Sequence, residues 1–212
     1  MKLVAPKLLA AAALSFAALS APSRSDACIN GIEAEWERFT YSQAGQIATA
    51  EKELEVARPV MAAGRVREQV PNVRSLDAKA APLMRRSLRV YALAIVRADG
   101  KIDETLGWSR WGNLEWAYET LRDLEASSPN NPAKQAELAE AQIALPYARK
   151  AGVSRLEDLD GRDLLGSPFA FLALARARQD EGDVGGTQAA VRRCSMMSSD
   201  RRRCEIPAAR KS

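Results

Sequence analysis

Two aspartates beside a glycine in the middle of the chain are candidates for binding a metal ion. The stretch DGKIDE, which begins at Asp99, resembles the centre of a calcium-binding EF-hand loop, with Gly100 at the sixth position and Asp103 at the ninth. The first, third and twelfth positions of such a loop supply oxygen ligands, but this chain has Ile95, Arg97 and Leu106 there. The sequence therefore predicts no metal site, no cofactor and an ordinary turn at Gly100.

Histidine is missing from the whole sequence, and its absence excludes several kinds of catalysis. Serine and cysteine nucleophiles that need a histidine base, histidine-ligated zinc and c-type haem attachment all lack a required residue. A hydrolase that uses carboxylates is the remaining alternative, with candidates Glu33, Glu35, Glu37, Asp99 and Asp103. Carboxylates one helical turn apart are usually solvated, and no nucleophile or phosphate loop accompanies them. We therefore expect that the protein is not an enzyme.

The first 27 residues have the features of a secretory signal peptide. Two lysines precede a short apolar run, which small residues follow, and the run is too short to span a bilayer. Cleavage after Ala21 and cleavage after Ala27 both fit the pattern. The second would leave Cys28 at the new terminus, but Ser25 and Asp26 do not fit a lipoprotein signal, so we expect no lipid anchor. The predicted location is periplasmic or secreted, and no later segment is apolar enough to cross a membrane.

Charge and cysteine content limit the possible partners further. The whole chain carries a net charge of +4, and removal of residues 1–27 takes away three basic and one acidic residue. The remaining excess is concentrated in a basic tail, residues 200–212, so we expect no nucleic-acid binding. Cys194 and Cys204 lie ten positions apart around a polar stretch, and a disulfide between them would attach this tail to the last helix.

The composition favours helices throughout, because alanine, leucine, arginine and glutamate dominate over β-branched and aromatic residues. Prolines and glycines divide the chain into segments, and Pro146 is expected to end its helix early. The fold class is predicted to be all-α. The predicted helices span residues 43–58, 60–69, 78–98, 112–126, 133–149, 154–165, 168–181 and 185–198.

The segment FAFLALARARQDEGDVGGTQAAVRRC resembles a tetratricopeptide repeat. Phe171 precedes the large and small pair Leu174 and Ala175, and Gly182 follows at the distance expected of a turn. Positions where the family usually has alanine carry Thr187 and Cys194, which are also small. A second segment, VYALAIVRADGK followed by NLEWAYETLRDLEASSPNNP, resembles another repeat, with a linker about ten residues too long. In that comparison, Asp99 and Gly100 form the turn between two helices, and we expect Asp103 to face solvent.

The resemblance implies a fold and a general role. It implies an α-solenoid of about four antiparallel helical hairpins over residues 28–199, whose concave surface binds a protein or peptide partner. By analogy, the exposed positions of the first helices are the candidates for contact. In two hairpins these are Tyr91, Ile95, Ala98, Leu172, Arg176 and Gln179, and in the more divergent hairpin between them they are Ala136, Glu140 and Ile143.

The long linker adds a feature that the family does not supply. Trp108 and Trp111 lie close to Arg110, and tryptophan beside arginine is typical of interface anchors. The alternative is that these rings fold back and cover the hairpin. A structural accessory subunit of an envelope complex remains the alternative to a free-standing binding module.

Overall fold

The computed structural model describes Arg38 and residues 42–206. The chain divides into two units, residues 1–38 and 39–212, and only Arg38 is described in the first. The predicted signal peptide, Cys28 and the three glutamates proposed for catalysis lie outside the described residues. Residues 42–206 all belong to the second unit.

Eight α-helices and no β-strand occur in residues 42–206, which confirms the all-α prediction. Three short 3-10 helices, Val73–Ser75, Glu104–Leu106 and Arg201–Cys204, lie between or after them. The α-helices are α1 (Gln43–Glu55), α2 (Pro59–Gln69), α3 (Pro82–Arg97), α4 (Arg110–Ala126), α5 (Pro132–Ala144), α6 (Arg149–Gly161), α7 (Pro168–Asp180) and α8 (Val184–Met197).

The helix starts follow from two kinds of residue in the sequence. Proline is the first residue of α2, α3, α5 and α7, where its missing N–H is not needed and its fixed φ suits the helix. Side-chain oxygens accept from free backbone N–H groups at five starts. The capping residues are Ser42, Ser109, Asn131, Ser167 and Asp183.

Most predicted boundaries lie within a few residues of the observed ones, but the starts of the third and sixth helices differ. The third helix begins at Pro82, not at residue 78, and the sixth begins at Arg149, not at residue 154. Gly152 was expected to break the chain, but it lies within α6 and is buried. A Cβ at this position would come within 2.8 Å of the carbonyl oxygen of Ala139. Gly152 therefore permits close packing of α6 against α5.

Each α-helix contacts the next one along the chain, from α1 with α2 to α7 with α8. In addition, α1 contacts α3, α3 contacts α5, and α5 contacts α7. The odd-numbered helices are therefore successive neighbours, and we call the surface that they form the odd-helix face.

Helix α5 joins two hydrophobic clusters. Leu138 and Ala141 belong to the cluster built by α1 to α4, whereas Ala136 and Ala139 belong to the cluster built by α6 to α8. The second cluster also contains Cys204, so part of the predicted tail is packed against α8. Cys194 and Cys204 form a disulfide in this segment, with their Cα atoms 5.8 Å apart.

Gly152→Ala is expected to destabilise the fold, because its methyl group would collide with the backbone of α5. Overpacking of this kind costs about 1–3 kcal/mol, partly offset by the higher helix propensity of alanine. Gly161→Ala is the control in the same helix, since a Cβ there meets nothing within 4 Å. Urea denaturation of both variants tests the packing, and equal midpoints would show that Gly152 is not a close contact.

Candidate functional site

Two adjoining clefts lie on the odd-helix face. The larger cleft, about 780 Å³, lies against the first turns of α5 and α7, and the smaller, about 520 Å³, lies against their later turns. Arg97 and Phe169 line both clefts, so the two spaces meet at this pair. The guanidinium carbon of Arg97 lies 4.0 Å from the centre of the Phe169 ring, a distance typical of a cation–π contact.

Ion pairs between α3 and α5 form the floor of these clefts, and their carboxylates are buried. Arg97 Nε donates to Glu140 Oε2 at 3.0 Å and its Nη2 donates to Glu140 Oε1 at 3.2 Å. Arg89 Nε donates to Glu137 Oε2 at 2.8 Å. Burial acts to lower the pKa of Arg89, but the bonds to Glu137 outweigh it and the pKa is raised. These arginines are therefore fixed by carboxylates and belong to the scaffold.

The smaller cleft combines apolar side chains with an excess of positive charge. Its apolar lining includes Ile143, Phe169 and Leu172. Its charged lining consists of five arginines and three carboxylates: Arg97, Arg110, Arg149, Arg176, Arg203, Asp99, Glu140 and Asp180.

Most of the arginines around the smaller cleft have a partner. Arg110 Nε donates to Asp99 Oδ2 at 3.1 Å, and Arg149 forms an ion pair with Asp180. Burial acts to raise the pKa of Asp99, but Arg110 and Lys101 hold it below its ordinary value. Arg176 differs, because it is exposed and no described residue forms a hydrogen bond or ion pair with it. Its guanidinium can therefore meet an anionic group of a ligand.

The long linker between α3 and α4 is held by a network of polar bonds. Asp103 accepts from the Tyr91 hydroxyl and from Arg67, and its side chain is only 8 % exposed. The prediction that Asp103 faces solvent is therefore wrong. Asn113 Nδ2 donates to the carbonyl oxygens of Gly100 at 2.8 Å and Ile102 at 2.5 Å.

The predicted turn at Asp99 and Gly100 is present. Gly100 has a φ of +72°, and its N–H donates to Ile95 O at 2.9 Å at the end of α3. A Cβ at Gly100 would come within 2.5 Å of Arg110 O, so both the φ angle and the close approach of α4 require glycine. No group of three or more acidic or cysteine side chains suited to a metal ion occurs within the described part of the chain.

Trp108 and Trp111 have different surroundings. Arg74 lies between two indole rings, 3.7 Å from the centre of Trp108 and 4.5 Å from that of Trp116. Trp108 therefore packs one face of its ring on Arg74, in line with the packing alternative, while 42 % of the residue stays exposed. Trp111 is 50 % exposed and its described ring contact is with Arg110, so it remains available to a partner.

Some of the binding residues predicted from the sequence are buried in the structure, and others line a cleft. Tyr91 and Ile95 are 1 % and 0 % exposed, so the expectation that they are exposed contact positions is wrong. Leu172, Arg176 and Arg110 line the smaller cleft. Gln179 lies outside both clefts, beside a shallow pocket between α7 and α8.

The remaining candidates of the divergent hairpin lie on α5. Ala136 lines the larger cleft, whereas Glu140 and Ile143 line the smaller one. Glu140 is buried in its pair with Arg97, so it is part of the floor.

Sequence reasoning missed several residues of the site. Arg89 and Arg97 of α3 face Glu137 and Glu140 of α5, and opposite charges on these two predicted helices were a usable signal. Phe169 gave no such signal, because nothing in its neighbourhood separates it from an ordinary core residue.

No protein-family model, curated protein or solved structure matches this chain. The resemblance to tetratricopeptide repeats therefore stays a prediction. None of the described helices is long and apolar enough to cross a membrane.

Tyr91 is expected to make stability depend on alkaline pH. Burial and the bond to Asp103 raise the pKa of Tyr91 from 10.0 to about 12. A raised folded-state pKa contributes stability that is complete below pH 10 and is lost as the pH rises to about 12. Tyr91→Phe should therefore reduce the loss of unfolding free energy over this pH range, while lowering stability at pH 8 by about 1–2 kcal/mol.

Tyr118→Phe is the control for this measurement, because no described residue forms a hydrogen bond with the Tyr118 hydroxyl group. Chemical denaturation at a series of pH values compares the two variants with the parent chain. If both give the same pH dependence as the parent, the Tyr91 bond does not contribute.

Trp108→Ala is expected to lower the free energy of unfolding by about 1–3 kcal/mol, because it removes the cover over Arg74. Trp111→Ala should change it by no more than about 0.5 kcal/mol, since the described ring contact of Trp111 is with the partly exposed Arg110, whereas Trp108 shares Arg74 with Trp116. Thermal melts followed by circular dichroism distinguish the two variants. A large loss in Trp111→Ala would assign that ring to the core.

Proposed function

We infer that the protein is a non-catalytic binding module that holds an extended peptide or protein segment on the odd-helix face. The observation that carries this proposal is the smaller cleft, where the guanidinium of Arg176, which has no partner among the described residues, lies beside apolar side chains. Arg176 is suited to an acidic side chain or a terminal carboxylate, and Leu172 and Ile143 are suited to apolar side chains. The favoured ligand is therefore a segment with acidic and apolar residues.

The arrangement of helices supports this proposal. Successive contacts of α1, α3, α5 and α7 are what stacked hairpins of a solenoid require, and such stacks use one long face for binding. In this proposal the four hairpins form a tetratricopeptide-like solenoid and the odd-helix face is its concave side. The export signal predicted from the sequence and the disulfide between Cys194 and Cys204 favour a periplasmic or secreted location.

The rigidity of the cleft floor also favours binding. Arg97 and Glu140 are fixed by two hydrogen bonds, and the Arg97 side chain is only 14 % exposed. A floor that is already ordered loses little conformational entropy when a ligand is bound.

Arg176→Glu is expected to weaken ligand binding by at least about 10-fold, because it replaces the unpaired cation by an anion. Peptides for the measurement come from a displayed random library selected on the chain without residues 1–27. Enriched peptides should combine acidic with apolar residues, and fluorescence anisotropy gives their affinities.

Lys150→Glu is the matched control, since it makes the same change of charge at an exposed position of α6 outside both clefts. It should change the affinity less than about two-fold, because solvent and salt screen an exposed charge outside the clefts. Equal losses in Arg176→Glu and Lys150→Glu would show that peptides respond to overall charge and do not occupy the cleft.

A further inference from the structure

The segment after α8 connects the last hairpin to the first. It leads into the 3-10 helix Arg201–Cys204, where Arg203 Nη1 donates to Glu55 O at 3.1 Å. These residues are 148 positions apart in the sequence, and Glu55 is the last residue of α1. A single hydrogen bond thus attaches the end of the described chain to its first helix.

The carbonyl oxygen of Glu55 is well suited to accept a hydrogen bond from an arginine. The last carbonyl groups of an α-helix lack partners within the helix, and the helix dipole places partial negative charge there. Arg203 therefore supplies both a donor and a positive charge. The bond is exposed to solvent, so water can replace Arg203 at the carbonyl oxygen of Glu55.

The segment that carries Arg203 is braced by other bonds. Cys194 and Cys204, each 1 % exposed, are joined by the disulfide. Ser198 Oγ donates to Asp200 O at 2.8 Å, and Asp200 Oδ2 lies 3.3 Å from Arg203 Nε. The bond to Glu55 is consequently the weak link between a fixed segment and the first hairpin.

Both clefts of the odd-helix face border this segment. Ser198 and Ser199 line the larger cleft together with Glu55, whereas Arg203 lines the smaller cleft together with Ala57. We propose that residues 198–204 form a clasp that controls access to the two clefts. The clasp is closed when Arg203 binds Glu55 and open when this bond is broken. The purpose of the clasp rests on the proposed binding function, but its opening does not.

Thiol labelling tests the opening without any ligand. The reporter is Leu172→Cys in the smaller cleft, combined with Cys28→Ser so that the disulfide cysteines are the only others. The probe is a maleimide carrying a polyethylene-glycol chain. Arg203→Met should speed labelling by about five-fold or more, because loss of the bond raises the population of the open state. The apolar side chain of methionine keeps much of the packing of the arginine stem.

Arg201→Met is the matched control, since Arg201 lies in the same 3-10 helix, is exposed and forms no hydrogen bond or ion pair with the described residues. It should leave the labelling rate unchanged. A second variant, Cys194→Ser with Cys204→Ser, removes the brace and should also speed labelling while far-ultraviolet circular dichroism shows intact helices. Equal labelling rates in the parent, Arg203→Met and the disulfide variant would overturn the clasp.

Binding of the peptides enriched from the random library distinguishes the clasp from the proposed binding function. If the clasp controls access, Arg203→Met should increase their association rate. Faster labelling without binding of any peptide would support the clasp and contradict the binding function. Unchanged labelling together with peptide binding that depends on Arg176 would contradict the clasp and support the binding function.

Discussion

The ion pairs between α3 and α5 are the interaction on which the arrangement of this fold depends. The carboxylates of Glu137 and Glu140 have only 9 % and 3 % of their side-chain surface exposed, so each has lost most of its hydration. Buried carboxylates require charged hydrogen-bond partners, and breaking such a pair costs about 3–5 kcal/mol even where the intact pair adds little net stability. Arg89 and Arg97 meet this requirement only in one register of α3 against α5. Because α5 contributes to both hydrophobic clusters, the same register fixes α1 to α4 relative to α6 to α8.

This constraint also shapes the candidate site. Arg97 cannot serve as a mobile anion receptor, because Glu140 and the Phe169 ring already hold its guanidinium. The cleft instead has a rigid floor and charged groups at its edge. Among the described arginines that line the smaller cleft, Arg176 is the one for which no partner is found, and so it is where the cleft can discriminate between ligands by charge.

The sequence predicted the helices better than the exposed positions. Prolines and capping residues mark where helices begin, so local chemistry was sufficient for the boundaries. In α3, however, the residues from Leu88 to Ile95 are nearly all buried, and a run of consecutive buried residues has no periodicity from which an exposed face can be read. Tyr91 and Ile95 were assigned to an exposed face by analogy with the repeat family, and α3 has no pattern that could have corrected this. Asp103 was missed because one of its partners, Arg67, lies 36 positions away, a pairing that only the tertiary structure establishes.

Arginine has four distinct roles in this chain, and burial decides which one each residue has. Arg97 is fixed by a buried carboxylate, and Arg74 is enclosed by two indole rings. Arg203 and Arg176 lie nearer to solvent, one on a helix carbonyl and the other without a described partner. Since water competes with exposed bonds but not with buried ones, the first pair stays in place while the second pair can exchange partners. A fixed floor with movable charges at its edge is the arrangement that a binding face with controlled access requires.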